Sequence, residues 1–247
     1  MTRLGLLLKS GIIVSVLVVL KFLVVDYFEL DVISINPVIT AIIAGVIFTI
    51  AILFTGTLSD YKESEKIPGE LAASIKSFYK DSKIIKVNDI EIIHNIQNHI
   101  KELVNVLNAN FKNNNFWKSS NVNEAIDIID KDIKILVEEN VHISMIIKLR
   151  NELTNIEKIS SRINTIIETS FMPAAYTIAQ IAVIMAIMVL LFVELDPYYE
   201  GILLFGGVSF LLISLILLIR DMDNPFGGNV RVDLRVMTKL EKYLADK

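Results

Sequence analysis

Four apolar runs, Leu4–Val25, Pro37–Leu58, Pro173–Val193 and Gly201–Ile219, are arranged as two pairs around a charged middle. Each is close to the roughly 20 residues that a helix rising about 1.5 Å per residue needs to cross a hydrocarbon core. Lys9 and Lys21, both in the first run, are the only charged residues inside them. Lipid offers no partner to a backbone N–H or C=O, so the runs predict membrane-spanning helices. The first run is long for a secretory signal core. Asp26, Tyr27 and Phe28 follow it instead of a small-residue cleavage site, so it predicts a retained span.

The pattern between the pairs changes to a helical period of mixed polarity. Pro68 suits the first turn of a helix running towards Lys80. Asn88 and Glu91 have the spacing of a capping box, opening a helix to about Lys112. Along that helix Ile93, Ile96, Ile100, Leu103, Val104 and Leu107 recur at three- and four-residue steps. A polar break at Asn113–Asn115 and Ser119–Asn121 precedes a periodic stretch from about Asn123 to Thr169. Ile126, Ile129, Ile133, Leu136, Ile143, Ile147, Leu153, Ile156, Ile163 and Ile167 mark one stripe on it. As one continuous helix it would extend about 70 Å. No alternating strand pattern and no repeat is present. The predicted fold is an all-α membrane protein with four transmembrane helices in two hairpins, at 1–58 and 173–219. A helical cytoplasmic body at 59–172 lies between them and a cytoplasmic tail follows at 220–247.

Charge sets the expected topology. The connections Asp26–Asn36 and Glu194–Glu200 together carry six carboxylates and no lysine or arginine. The positive-inside rule therefore predicts a multi-pass protein of the cell membrane, with both termini and the body cytoplasmic and both acidic tips outside. Lys21, near the outer end of its helix, is expected to reach the interface by snorkelling. The 247 residues are 53% hydrophobic and 21% charged, with a net charge of −4, which excludes a nucleic-acid partner of the basic-patch kind. The chain lacks cysteine, so it has neither disulfide nor thiolate chemistry. His94, His99 and His142 do not form an i, i+4 metal pair, and no nucleophile motif or phosphate-cradling glycine loop occurs. Neither enzyme nor cofactor is expected, and the histidines read as solvated or packed on helices.

Two segments carry candidate chemistry. On the second span, at 100° per residue, Ala41, Ala44, Gly45, Phe48, Ala51, Ile52 and Thr55 fall on one side. Ile42, Ile43, Val46, Ile47, Ile50, Leu53 and Phe54 fall on the other. A small-residue face lets membrane helices pack closely. It also suits a pore wall, with Phe48 and Ile52 as an apolar constriction able to gate by dewetting. The segment Ser59–Leu71 reads as a solvated turn of mixed charge. After the fourth span, Asn224-Pro225 and Gly227-Gly228 predict a turn. Asp221 and Asp223 near it can offer oxygen to a hard cation, but without a complete loop pattern.

The Asn224-Pro225-Phe226-Gly227 turn with its helical tail, and the Tyr61–Leu71 segment ending in Pro68-Gly69-Glu70-Leu71, resemble the bestrophin family of ion channels. The match covers about a quarter of the chain, and the two-plus-two layout agrees. Lys62 and Pro68 stand where the family carries tryptophans. The resemblance implies a homo-oligomer, a pentamer, whose second helices surround one axial pore passing chloride or other small anions. Setting Gly69 on the family's glycine places the narrow neck at Ala44, Phe48 and Ile52. Ala41, Gly45, Ala51 and Thr55 then line the rest of the pore face. Asn224, Pro225, Phe226 and Gly227 become a structural turn. Eukaryotic relatives follow that turn with a calcium-clasping acidic run. Here it reads Gly228-Asn-Val-Arg-Val-Asp233, which removes the cluster and with it the expectation of a metal. The expected partners are other copies of the chain, the bilayer and small inorganic ions. Six outer carboxylates per subunit favour a cation-permeable channel of the same architecture as the alternative. A membrane-anchored sensor or scaffold without a pore is the other.

Overall fold

The structure is a computed structural model. It describes residues 4–87, 89–112, 117–169, 173–194, 196–227 and 230–246. The described residues form helices in the order α1 (Leu4–Phe22), α2 (Pro37–Ser64), α3 (Ile67–Ser82), α4 (Ile90–Lys112), α5 (Ser119–Glu138), α6 (Ile143–Glu168), α7 (Pro173–Leu191), α8 (Tyr198–Met222) and α9 (Arg235–Ala245). A π-helical turn, Leu23–Tyr27, continues α1. Among the described residues the extended pairing is a single parallel bridge between Ile33 and Val193. The protein is all-α and multi-pass, with four helices long and apolar enough to cross a membrane. The chain divides into two compact units.

The first unit contains α1, α2 as far as Tyr61, α7 and α8. Its core joins Val14 of α1, Val46, Ile50 and Leu53 of α2, Ala179, Val183 and Ala186 of α7, and Leu212 and Ile216 of α8. Chain order does not decide neighbours here, because α1 lies along α8, which also packs against α7. Gly206 lies where α8 meets α1, and a Cβ there would be in ordinary contact with Val18 at 3.5 Å.

The second unit holds α3 to α6 and α9. Its helices pair as α3 with α6, α4 with α5, α5 with α6, and α9 against α3 and α4. Most of the predicted apolar positions form its centre: Ile100, Leu103 and Leu107 of α4, Ile129, Ile133 and Leu136 of α5, and Leu153, Ile156 and Ile163 of α6 are buried. Ile143 and Ile147, expected on the same stripe, are exposed in the first turns of α6, and Leu149 is buried in their place. Each such side chain contributes about 1.5–3 kcal/mol by leaving water. Polar pairs lie among them. Asn155 donates to Ser74 Oγ at 2.7 Å, Lys148 to Asp81 at 2.8 Å, and Asn108 to Glu241 at 2.7 Å.

Several expectations need correction. The stretch from Asn123 to Thr169 is two helices, not one long rod. α5 ends at Glu138, Asn140 takes a left-handed conformation with φ 57°, and the Ser144 backbone N–H donates to His142 Nδ1 at the start of α6. Asn tolerates that conformation at modest cost, so the chain reverses and the stripe folds back on itself. Ser119–Asn121 is not a break but the first turn of α5, while Asn113–Asn115 lie outside the described residues, as does Asn88. At the start of α4 the Asp89 carboxylate accepts from the Glu91 backbone N–H at 2.9 Å. Ser59–Leu71 is not a solvated turn. Ser59–Ser64 end α2 and Ile67–Leu71 begin α3, and Ile67 and Leu71 are fully buried.

A candidate ion pathway on the second spanning helix

α2 starts where its sequence dictates. Asn36 Oδ1 accepts from the backbone N–H of Val38 at 3.0 Å and of Ile39 at 3.1 Å, satisfying two of the donors that a helix start leaves open. Pro37 has no N–H to lose at that position. From there the helix separates two surfaces. Val46, Ile50 and Leu53 are buried against α7 and α8 in the core of the unit. Ala41, Ala44, Gly45, Phe48, Ala51, Ile52 and Thr55 are all exposed, with Phe48 at 68% and Ile52 at 59%. The burial division follows the helical period with one qualification: Ile42 and Ile47, assigned to the opposite side, are also partly open.

The exposed face extends about 21 Å from Ala41 to Thr55. A Cβ added at Gly45 would meet nothing within 4 Å. Thr55 is the polar side chain on the face, and its hydroxyl donates to the Ala51 carbonyl at 2.8 Å. That bond turns the oxygen lone pairs outward, so the face offers an acceptor and no free donor at that point. Phe48 and Ile52 are one turn apart and carry no group able to replace an ion's hydration.

The end of the unit where α1 and α7 both finish holds a residue that sequence reasoning misplaced. Lys21 does not snorkel. It is fully buried, and its ammonium donates to the carbonyls of Leu191 at 2.8 Å and Val193 at 2.5 Å. Those carbonyls lie at the end of α7, where a helix leaves acceptors unpaired and carries partial negative charge. Snorkelling needs open interface beside the helix, and here α7 supplies nearer oxygens. A sequence signal did exist, since a lysine inside a span usually has a protein partner. The strap before α2 is held at the same place: Ile33 N–H donates to Phe192 at 3.1 Å, and Glu194 N–H donates to Ile33 at 2.8 Å. Tyr198 OH donates to Asp26 at 2.8 Å.

Beyond the spans, Phe226 and Pro225 are buried, and the Phe226 ring lies 5.8 Å from that of Phe111. Pro225 O accepts from Val232 N–H at 2.9 Å. Asn224 is exposed and Gly227 is partly covered within the same turn. The carboxylates are engaged. Asp221 accepts from Val230 N–H at 2.5 Å, and Asp233 is bound by the Arg235 side chain at 2.8–2.9 Å. Hydrogen bonds from Arg235 hold the Asp233 carboxyl down at about 2. Two histidines have specific roles that periodicity did not reveal. His99 Nδ1 lies 2.7 Å from Asp132 Oδ2 between α4 and α5, and His142 caps α6.

An all-α bundle of four spans with an amphipathic helical unit defines a class of membrane protein, and comparison with solved structures says which. No protein-family model matches the sequence, and no curated protein matches it. The fold matches a bacterial bestrophin homolog from Klebsiella pneumoniae. In one variant of that protein the TM-score is 0.81 at 13% identity, covering 100% of this chain and 98% of the other. A second variant matches at TM-score 0.80 and 12% identity over 97% and 98% of the two chains, and a third at 0.81 and 12% over 97% of both. The chain has the bestrophin fold.

Proposed function

We propose that this chain is the subunit of an oligomeric, bestrophin-like ion channel, a pentamer, in which the Ala41–Thr55 face of α2 lines an axial pore. The observation that carries the reading is the division of α2: its small-residue face is left uncovered while Val46, Ile50 and Leu53 on the opposite side enter the core of its own unit. In a single copy that uncovered face puts Phe48, a large apolar ring, into open space. Around an axis it forms a ring with its copies. Phe48 and Ile52 are then the neck and Ala44 widens it towards the outside. A passive pathway requires no catalytic pair, and the fold argues for transport and not for an enzyme. Both termini and the helical unit of residues 62–169 are cytoplasmic on this reading.

The test is recording in a planar bilayer under a KCl gradient. Phe48→Ala should raise single-channel conductance or lengthen openings with the oligomer intact. An intact oligomer with unaltered current removes Phe48 from the pore, and a protein that stays monomeric in mild detergent supports the anchored scaffold instead. The reversal potential assigns the ion. Chloride and small anions follow from the resemblance to bestrophins. Cation permeation is favoured by the six outer carboxylates, five copies of which would concentrate cations at the mouth.

A further inference from the structure

The spanning helices leave an apolar groove on the flank of their unit, with a volume of about 420 Å³. Ile13 and Leu17 of α1 form one wall, Ile184 and Met188 of α7 the other, and the buried Ile213 and Ile216 of α8 its floor. From Gln180 to Met188 the α7 wall runs about 12 Å. One end of the groove is polar. Gln180 Nε2 donates to Tyr176 OH at 2.9 Å. Arg220 follows Ile216 by four residues and Ile213 by seven, so it shares their face of α8. Lys9 precedes Ile13 by four and shares the face of α1. The ammonium of Lys21 bonded to Leu191 shows that α1 and α7 run parallel, and Val18 beside Gly206 shows that α8 runs against α1. Lys9, Tyr176 and Arg220 therefore belong to the same end of the unit, where the lysine and the arginine are exposed.

We propose that this groove is a binding site for one anionic phospholipid, with an acyl chain along Ile13, Ile184 and Ile213 and the phosphate between Lys9 and Arg220. Charge selects this occupant. Basic pockets between spanning helices bind acidic headgroups. The alternative cover is a spanning helix of a second copy, and the four apolar runs contain no aspartate or glutamate to meet the two cations. The inference does not depend on the pore.

The test is fluorescence quenching in vesicles. Trp117 is the only tryptophan, so Ile184→Trp is placed in a Trp117→Phe background; Ile184 is 61% exposed and accepts the larger ring. Brominated phosphatidylglycerol should reach half-maximal quenching at about a thirty-fold lower mole fraction than brominated phosphatidylcholine, the preference expected from two cations near the surface. Lys9→Gln with Arg220→Gln should bring that ratio close to one. Leu203→Trp in the same background, exposed elsewhere on α8, should show no preference. Met188→Trp repeats the measurement if Ile184→Trp does not assemble. Equal quenching by both lipids reduces the groove to ordinary lipid contact and overturns the proposal. No quenching by either lipid means that protein covers it. A thirty-fold preference that survives loss of both cations overturns the headgroup assignment.

Discussion

Replacing Lys21 with methionine tests whether the ends of α1 and α7 are held together by a buried ammonium. The side chain is fully enclosed, and its two hydrogen bonds tie α1 to the end of α7. Hydrogen bonds to a charged group contribute about 1.5–3 kcal/mol each net of desolvation, so the pair amounts to about 3–6 kcal/mol. Methionine keeps most of the stem in place and leaves the carbonyls of Leu191 and Val193 without this donor. Apolar burial of its terminal methyl returns about 0.8 kcal/mol. The expected net loss is about 2–5 kcal/mol. For a chain of this size about 1 kcal/mol lowers Tm by roughly 2–4 °C, so heating of the purified oligomer should show a fall of about 4–20 °C. Lys9→Met, on the exposed face of the same helix, should change little. Hydrogen exchange gives a local readout. The Ile33 and Glu194 amides, paired across the neighbouring bridge, should lose protection first. A Lys21→Met protein within about 1 °C of the native one, with those amides unchanged, would show that the lysine does not clamp α7.

Three further expectations follow from the same contacts. Cysteines introduced at Val32 and Tyr199, 76% and 84% exposed, should react with an impermeant reagent added outside intact cells. Labelling only at Ser120 would invert the proposed topology. Phe226→Ala should destabilise the unit containing α4 and α9 by about 3–5 kcal/mol, because a buried ring stacked near Phe111 leaves a cavity; denaturant unfolding checks it, and a loss below 1 kcal/mol would show that the ring is dispensable. Current should not rise steeply with micromolar cytoplasmic calcium, since Asp233 is held by Arg235. A steep rise would require another site.

Hydropathy alone determined the four spans, because a helix in lipid must be apolar over a length set by the bilayer. Their observed limits, Leu4–Phe22, Pro37–Ser64, Pro173–Leu191 and Tyr198–Met222, follow the apolar runs closely. Periodicity also determined most of the buried positions of the helices between the spans, from Ile100 to Ile163, but not the first turns of α6, where Ile143 and Ile147 keep the repeat and are exposed. On α2 the same period separated the side that carries Val46, Ile50 and Leu53 from the side that stays open, since both faces are properties of one regular helix. Tertiary structure alone decided what depends on distant oxygens and on turns. The ammonium of Lys21 found carbonyls 170 and 172 residues away, which no local pattern encodes. Asn140 in a left-handed conformation divided one long stripe into α5 and α6, a choice periodicity cannot register because both helices keep the same repeat. α1 packs along α8 with Val18 beside Gly206, a pairing of distant segments that exists only once the chain has folded.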